Sequence, residues 1–234
     1  MPMQPFGSRK KEAWPGMGTV LALLSLAVIW HSAAPYTGWS RVVAISLEGA
    51  ALISALTISG ETPKFRRAAL VLIPVALILA ILGAATGGEV GLLTTSILGL
   101  MIVIVSPIAI IRAVLRHPII NLQTVAAAVC IYLILGLLFA YILGIESTID
   151  KGAFFAGADR PYGPDLLYFS FTTLTTTGYG DIAALTRIGR TTAIAEAMIG
   201  QLYLVTVLAI LVSNLGKERR VDPGETGADK EQAT

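Results

Sequence analysis

The chain is short of charge, of histidine and of cysteine, and each shortage excludes a class of protein. Charged residues make up 14% of the 234 and hydrophobic residues 55%, whereas a soluble domain averages about 25% charged residues. This is too few charged residues to cover a surface that faces water. We therefore expect lipid to surround most of the chain. The single Cys130 excludes an intrachain disulfide, and two histidines make a Cys/His metal site unexpected. A net charge of +2 gives no reason to expect a nucleic-acid partner.

Long hydrophobic runs are the feature that the sequence has in abundance. A helix that crosses a bilayer needs about 20 mostly apolar residues. Six stretches qualify: 17–34, 42–59, 68–85, 90–111, 122–145 and 191–215. We therefore predict an all-α membrane protein with six transmembrane helices in contact with membrane lipid. The polar segment 216–234 is predicted to be a disordered tail.

The distribution of Lys and Arg predicts the orientation of these spans. If the N-terminus is cytoplasmic, 12 of these residues fall on the cytoplasmic side and 5 on the other, as the positive-inside rule requires. Both termini are then cytoplasmic, in a cell membrane. The first span also has the features of a cleavable signal peptide, with basic residues at 9–11 and small residues at 32–34. Cleavage would leave the orientation unchanged, and a mature N-terminus near Pro35 would reveal it.

One apolar segment is too short to cross a membrane. Residues 163–174 begin with Pro164 and Asp165, which favour a helix start. A strip rich in Thr and Gly follows directly. Irregular backbone at membrane depth is tolerated only where protein or a water-filled cavity surrounds it. The sequence therefore predicts a re-entrant loop between the fifth and sixth spans, entering from the outer side.

The strip itself has the residue types that a dehydrated cation needs. A cation can leave water only if oxygens replace its hydration shell, and backbone carbonyls can do so. Aiming successive carbonyls at one axis requires alternating dihedral handedness, and positive φ is cheap only for glycine. Gly178 and Gly180 alternate as that geometry demands.

Residues 167–181 read LYFSFTTLTTTGYGD, which resembles the pore helix and signature filter of potassium channels, with Thr177 where Val is commonest. The resemblance implies a potassium-selective channel that conducts K⁺ passively, with no enzymatic activity and no cofactor besides the permeant ion. It implies a filter made by Thr176, Thr177, Gly178, Tyr179 and Gly180, with K⁺ ligands from the carbonyls of the first four and the Thr176 hydroxyl. One strip supplies a quarter of a ring, so a homotetramer is expected.

The resemblance covers about 122–215 and is closest to small bacterial channels with a two-helix pore domain and extra N-terminal spans. It divides the chain into a four-helix region at 1–118, a pore domain at 119–215 and the tail at 216–234. The resemblance also implies filter support. Asp181 and Tyr179 would form hydrogen bonds to the pore helix, and Thr172 lies near the place where many members carry a stronger polar residue.

The sixth span offers several candidates with two interpretations each. Gly200 is either a hinge or a site of close helix packing. Leu204, Leu208 and Val212 recur at helical spacing and either line an apolar cavity and gate or pack against helices and lipid.

Glu196 is an acid within this span and so a functional candidate. It either braces the filter, through Ser170, Thr172 or a neighbouring chain's Gln201, or acts on ions or protons directly. Glu48 is another acid at depth, and the sequence indicates no partner for it. His31 and His117 are expected at the membrane interface.

Other functions fit the sequence less well. The fourth span, 90–111, carries no Lys or Arg, whereas a voltage sensor needs about 3–4 gating charges per subunit. About 19 residues follow Leu215, too few for a folded ligand-sensing domain. A potassium uptake transporter usually has four filter-like repeats per chain, and a non-conducting scaffold leaves 176–180 unexplained.

Overall fold

A computed structural model describes residues 16–35, 37–59, 63–86, 88–116, 122–150, 154–156 and 163–218. Within these residues the chain forms seven helices and one two-stranded ladder. The elements in chain order are α1 (Met17–Ala33), α2 (Gly38–Ser59), α3 (Pro63–Thr86), α4 (Gly88–Arg116), α5 (Leu122–Ile149), β1 (Phe155–Ala156), α6 (Gly163–Leu174), β2 (Ala183–Ala184) and α7 (Arg187–Glu218). The predicted all-helical class is therefore confirmed.

Three described helical segments are long and apolar enough to cross a membrane, namely Gly38–Ser59, Leu93–Leu115 and Leu122–Ile149. They correspond to the second, fourth and fifth predicted spans. Two shorter apolar helical segments, Met17–Ala33 and Ile73–Ala85, coincide with the first and third. The sixth predicted span lies inside α7. The chain is thus a membrane protein by these helices, and the count of six crossings stays a prediction.

The first helix is an integral part of the core. Its buried residues, Met17, Val20, Leu24 and Ala27, recur every three or four positions and form one stripe. Helix α1 packs against α2, α5 and α6. Signal-peptide cleavage would remove this stripe and expose the apolar surfaces that it covers.

Helix α6 is held between α5 and α7 and also touches α1. The segments on either side of it are joined by the ladder, in which Phe155 pairs with Ala184 and Ala156 with Ala183. Next to the ladder, the amide of Leu185 donates to the carbonyl of Phe154 over 2.9 Å. Both ends of the predicted re-entrant loop are therefore attached to each other, which limits how far the loop can move.

The end of α7 differs slightly from the predicted boundary. The helix continues through Glu218, three residues into the segment predicted to be a disordered tail. The remainder of that segment, 219–234, lies outside the described residues, as does His117.

Candidate functional site

The short helix α6 occupies the range predicted for it, Gly163–Leu174, and has Asp165 in its first turn. At its other end the backbone turns away from the helix. The amides of Thr177 and Gly178 both donate to the carbonyl of Thr172, over 2.8 and 3.1 Å. The Thr172 hydroxyl instead donates to Phe169 of the same helix over 3.0 Å. Thr172 therefore contacts the predicted filter strip through its backbone, whereas its side chain stays within α6.

Backbone handedness alternates along the strip. Positive φ values occur at Thr176 (56°), Gly178 (52°) and Gly180 (81°), with residues of negative φ between them. A methyl group at either glycine would have no atom within 4 Å, so conformation and not space explains the glycines. Positive φ at Thr176 costs about 1–2 kcal/mol. Such an outlier is typical of a site where the backbone itself has a function.

The carbonyl groups of this strip are available to a ligand. Residues 175–180 are all exposed. Within the described part of the chain, the carbonyls of residues 176–179 receive no hydrogen bond, although backbone carbonyls are ordinarily paired. Unpaired, exposed oxygens on alternating backbone are the donor set that a dehydrated cation requires.

Two side chains, one in the strip and one directly after it, contact Tyr168 of α6. The hydroxyl of Tyr168 donates to Oδ2 of Asp181 over 2.8 Å, so Asp181 has the predicted bond to the short helix. Tyr179 contacts the same helix through its ring, which stacks on Tyr168 with centroids 6.2 Å apart and planes 7° apart; its predicted hydrogen bond stays a prediction. Since Tyr179 is 72% exposed, most of its surface is free to contact a second subunit.

The last residue of α6 is anchored from two sides. The Tyr132 hydroxyl on α5 donates to the carbonyl of Leu174 over 3.2 Å. On α7, a Cβ at Gly200 would lie 2.7 Å from that same carbonyl oxygen. Of the two interpretations of Gly200, the structure therefore favours close packing over a hinge. Leu174 is fully buried, and the exposed strip begins at the next residue.

Glu196 is fully buried inside a single chain. Its Oε1 forms a hydrogen bond with the hydroxyl of Ser170 on α6. Of the three sequence-derived partners for Glu196, the structure selects Ser170. Thr172 bonds within its own helix, and Gln201 is exposed while Glu196 has no surface that a neighbouring chain could reach.

The apolar gate candidates are only partly described. Leu204 is 43% exposed and lines an open apolar groove of about 450 Å³ between α5 and α7, together with Tyr132 and Gln201. Leu208 and Val212 belong to α7, but their side chains lie outside the described part of the structure. Their assignment to a gate therefore stays a prediction.

A second polar cluster was missed by the sequence analysis. Glu48 is 1% exposed and accepts a hydrogen bond of 2.8 Å from the hydroxyl of Tyr141. His31 lies 3.9 Å from the same carboxylate oxygen, and its ring meets that of Tyr141 edge-on. His31 lies in the last turn of α1, and its side chain points into the bundle and is 16% exposed; its position at the membrane interface stays a prediction. No sequence signal pairs Glu48 with a residue 93 positions away.

A further acid near the end of α5 was also overlooked. Glu146 accepts a hydrogen bond of 2.7 Å from the hydroxyl of Thr192 on α7. The predicted fifth span ended one residue earlier, at 145. Helix α5 is longer than the span itself, so it brings this carboxylate to α7.

Comparison with known protein families addresses the same three helices. Residues 127–217 match the family model described as Ion channel. No curated protein and no solved structure matches the chain. The ion channel domain includes most of α5 and α7 and all of α6 with the strip that follows it. It supports passive ion conduction by a membrane protein, and it leaves the four N-terminal helices outside the match.

Proposed function

We propose that the chain is one subunit of a homotetrameric, potassium-selective channel in a cell membrane. Its filter is formed by Thr176, Thr177, Gly178, Tyr179 and Gly180. The observation that carries this proposal is the alternation of positive φ at Thr176, Gly178 and Gly180 in a strip whose carbonyls accept no hydrogen bond among the described residues. Both features are what a ring of carbonyl ligands needs.

One chain supplies too few oxygens to form the filter alone, and four copies is the number that the resemblance to potassium channels implies. A single strip presents one carbonyl at each level, whereas replacing the hydration shell of K⁺ takes several at each level. A closed cyclic assembly of identical chains provides them with one repeated interface. The exposed ring of Tyr179 and the apolar exposed side chains of α7 support such an interface, because Ile194, Met198 and Leu202 are each at least 60% exposed.

The ion pathway through one subunit is short. K⁺ would bind the carbonyls of residues 176–179, with the Thr176 hydroxyl as a further ligand at one end. The carbonyl end of α6 points toward the start of the strip, and the negative end of a helix dipole favours a cation there. Both termini would be cytoplasmic, as the distribution of Lys and Arg predicts.

The reversal potential of purified protein in a planar bilayer tests the proposal, with K⁺ on one side and Na⁺ on the other. We expect a large reversal potential with the sign given by diffusion of K⁺ toward the Na⁺ side. Gly178→Asp should abolish the current, because Asp disfavours the φ of +52° and places a carboxylate beside the ion path. As a control, Ser32→Asp adds the same carboxylate to an exposed position of α1 and should leave selectivity unchanged.

A reversal potential near zero would contradict potassium selectivity and indicate a non-selective pore. A Gly178→Asp protein that conducts as the wild type does would contradict the assignment of the filter to this strip.

A further inference from the structure

Three helices of the ion channel domain meet at one buried hydroxyl group. Ser170 of α6 is fully buried. Its Oγ lies 2.8 Å from the carbonyl oxygen of Gly136 on α5. It also forms a short hydrogen bond with Oε1 of Glu196 on α7. Which acceptor receives the proton of the Ser170 hydroxyl decides whether Glu196 is a hydrogen-bond acceptor or a donor.

The number of protons available gives the answer. A serine hydroxyl has one proton to donate and can also accept, whereas a backbone carbonyl only accepts. If Ser170 donates to Gly136, its contact with Glu196 is a hydrogen bond only when the carboxyl group is the donor. We propose that Glu196 is a neutral carboxylic acid, donates its proton to Ser170, and acts as a positioning residue between α7 and α6.

The surroundings of Glu196 oppose the charged form. An ionised carboxylate that is fully buried needs a cation or several donors to replace its hydration. Glu196 contacts no cationic side chain among the described residues, and its second oxygen, Oε2, has no hydrogen bond. An ionised Glu196 would compete with the carbonyl of Gly136 for the single proton of the Ser170 hydroxyl. The neutral acid leaves only a carbonyl oxygen unpaired, which costs far less.

The chain of hydrogen bonds from Glu196 through Ser170 to Gly136, here called the relay, reinforces a second contact between α7 and α6. Glu196 lies one turn before Gly200 on α7, and Ser170 lies one turn before Leu174 on α6. Because Gly200 packs against Leu174, α7 holds α6 at two successive turns. The relay adds a directional attachment at the first of these turns, since a hydrogen bond requires its donor and acceptor to keep a defined distance and angle. Its consequence for conduction rests on the proposed channel; the protonation of Glu196 does not.

Infrared spectroscopy of the full-length protein in lipid vesicles at neutral pH tests the protonation directly. The difference spectrum between wild type and Glu196→Gln should show the loss of one protonated carboxyl band per subunit. If the difference spectrum instead shows the loss of carboxylate bands, Glu196 is ionised and the proposal is wrong.

A second variant keeps the test valid if Glu196→Gln does not fold. Ser170→Ala removes the acceptor, so the protonated carboxyl band should persist and shift in frequency. Ser147→Ala is the control, because Ser147 donates to Gly144 of its own helix and should leave the band in place. An unshifted band in Ser170→Ala would contradict the relay.

The positioning role is tested by current recordings of three proteins. A glutamine amide can donate to Ser170 as the neutral acid does, so Glu196→Gln should keep the current and selectivity of the wild type. Glu196→Ala removes the donor and should reduce the time for which the pore conducts by several-fold. Equal impairment of the two variants would contradict the role. If the wild type conducts no K⁺ while the infrared band is present, the proposed function fails and the relay stands.

Discussion

Substitution of Gly200 by alanine separates packing from hinge bending by the sign of its effect on stability. A new Cβ would lie 2.7 Å from both the carbonyl oxygen and Cδ1 of Leu174. Contact closer than 3.0 Å forces the neighbours apart, and here one of the neighbours is backbone. Overpacking of this kind costs about 1–3 kcal/mol.

The same substitution has a favourable component. Alanine stabilises a helix interior by about 1 kcal/mol relative to glycine. The net change in the free energy of unfolding is therefore a loss of about 0–2 kcal/mol per subunit if Gly200 is a packing site. If Gly200 is instead a flexible hinge without a close neighbour, the change is a gain of up to about 1 kcal/mol.

Thermal unfolding of the purified protein in a fixed detergent and lipid mixture measures this difference. We expect Gly200→Ala to lower the apparent melting temperature. Gly18→Ala is the matched control, because a Cβ at this position of α1 meets nothing within 4 Å, and it should leave the melting temperature unchanged or raise it. A rise in Gly200→Ala equal to that of the control would refute the packing interpretation.

Three further substitutions test contacts of α5. Tyr132→Phe removes the hydrogen bond to the carbonyl of Leu174. Tyr203→Phe removes a hydrogen bond of 2.7 Å from α7 to the carbonyl of Ala128 on α5. Each substitution should destabilise the protein by about 0.5–1.5 kcal/mol. Only the first should shorten conducting periods in single-channel records, so identical records would contradict an anchoring role of Tyr132 at the proposed filter. Gly99→Ala should lower the melting temperature, because its methyl group would overlap the Tyr141 ring. That loss should shrink in a Tyr141→Ala background, and full additivity would show that the two sites do not interact.

Local features of the chain were predictable because they depend on short stretches of sequence. The range of α6 is marked by Pro164 and Asp165 at one end and by the change to Thr and Gly at the other. The positive φ at Gly178 and Gly180 follows from the absence of a Cβ. Positive φ at Thr176 was not anticipated, because β-branched residues disfavour it and only the surrounding fold imposes it.

Contacts between helices were the part that sequence reasoning left open. Glu196 had three possible partners, and the rotation of α7 against α6 brings it to Ser170 alone among them. The sequence indicated no partner for Glu48, whereas in the structure the packing of α2 against the rest of the bundle places Tyr141 beside it. In each case the relevant quantity is the angle of one helix about its axis relative to another. An apolar helix carries little information about that angle, since its faces are chemically alike.

The sequence by itself determined that this is a helical membrane protein with a half-length helix followed by a Thr- and Gly-rich strip, because run length, charge and glycine spacing are local quantities. Tertiary structure alone decided that Gly200 packs on Leu174, that Ser170 joins three helices, and that His31 points inward to Glu48. Those contacts depend on how side chains from distant segments fill a shared space. Close packing allows only a few such arrangements, and the linear sequence does not show which one is adopted.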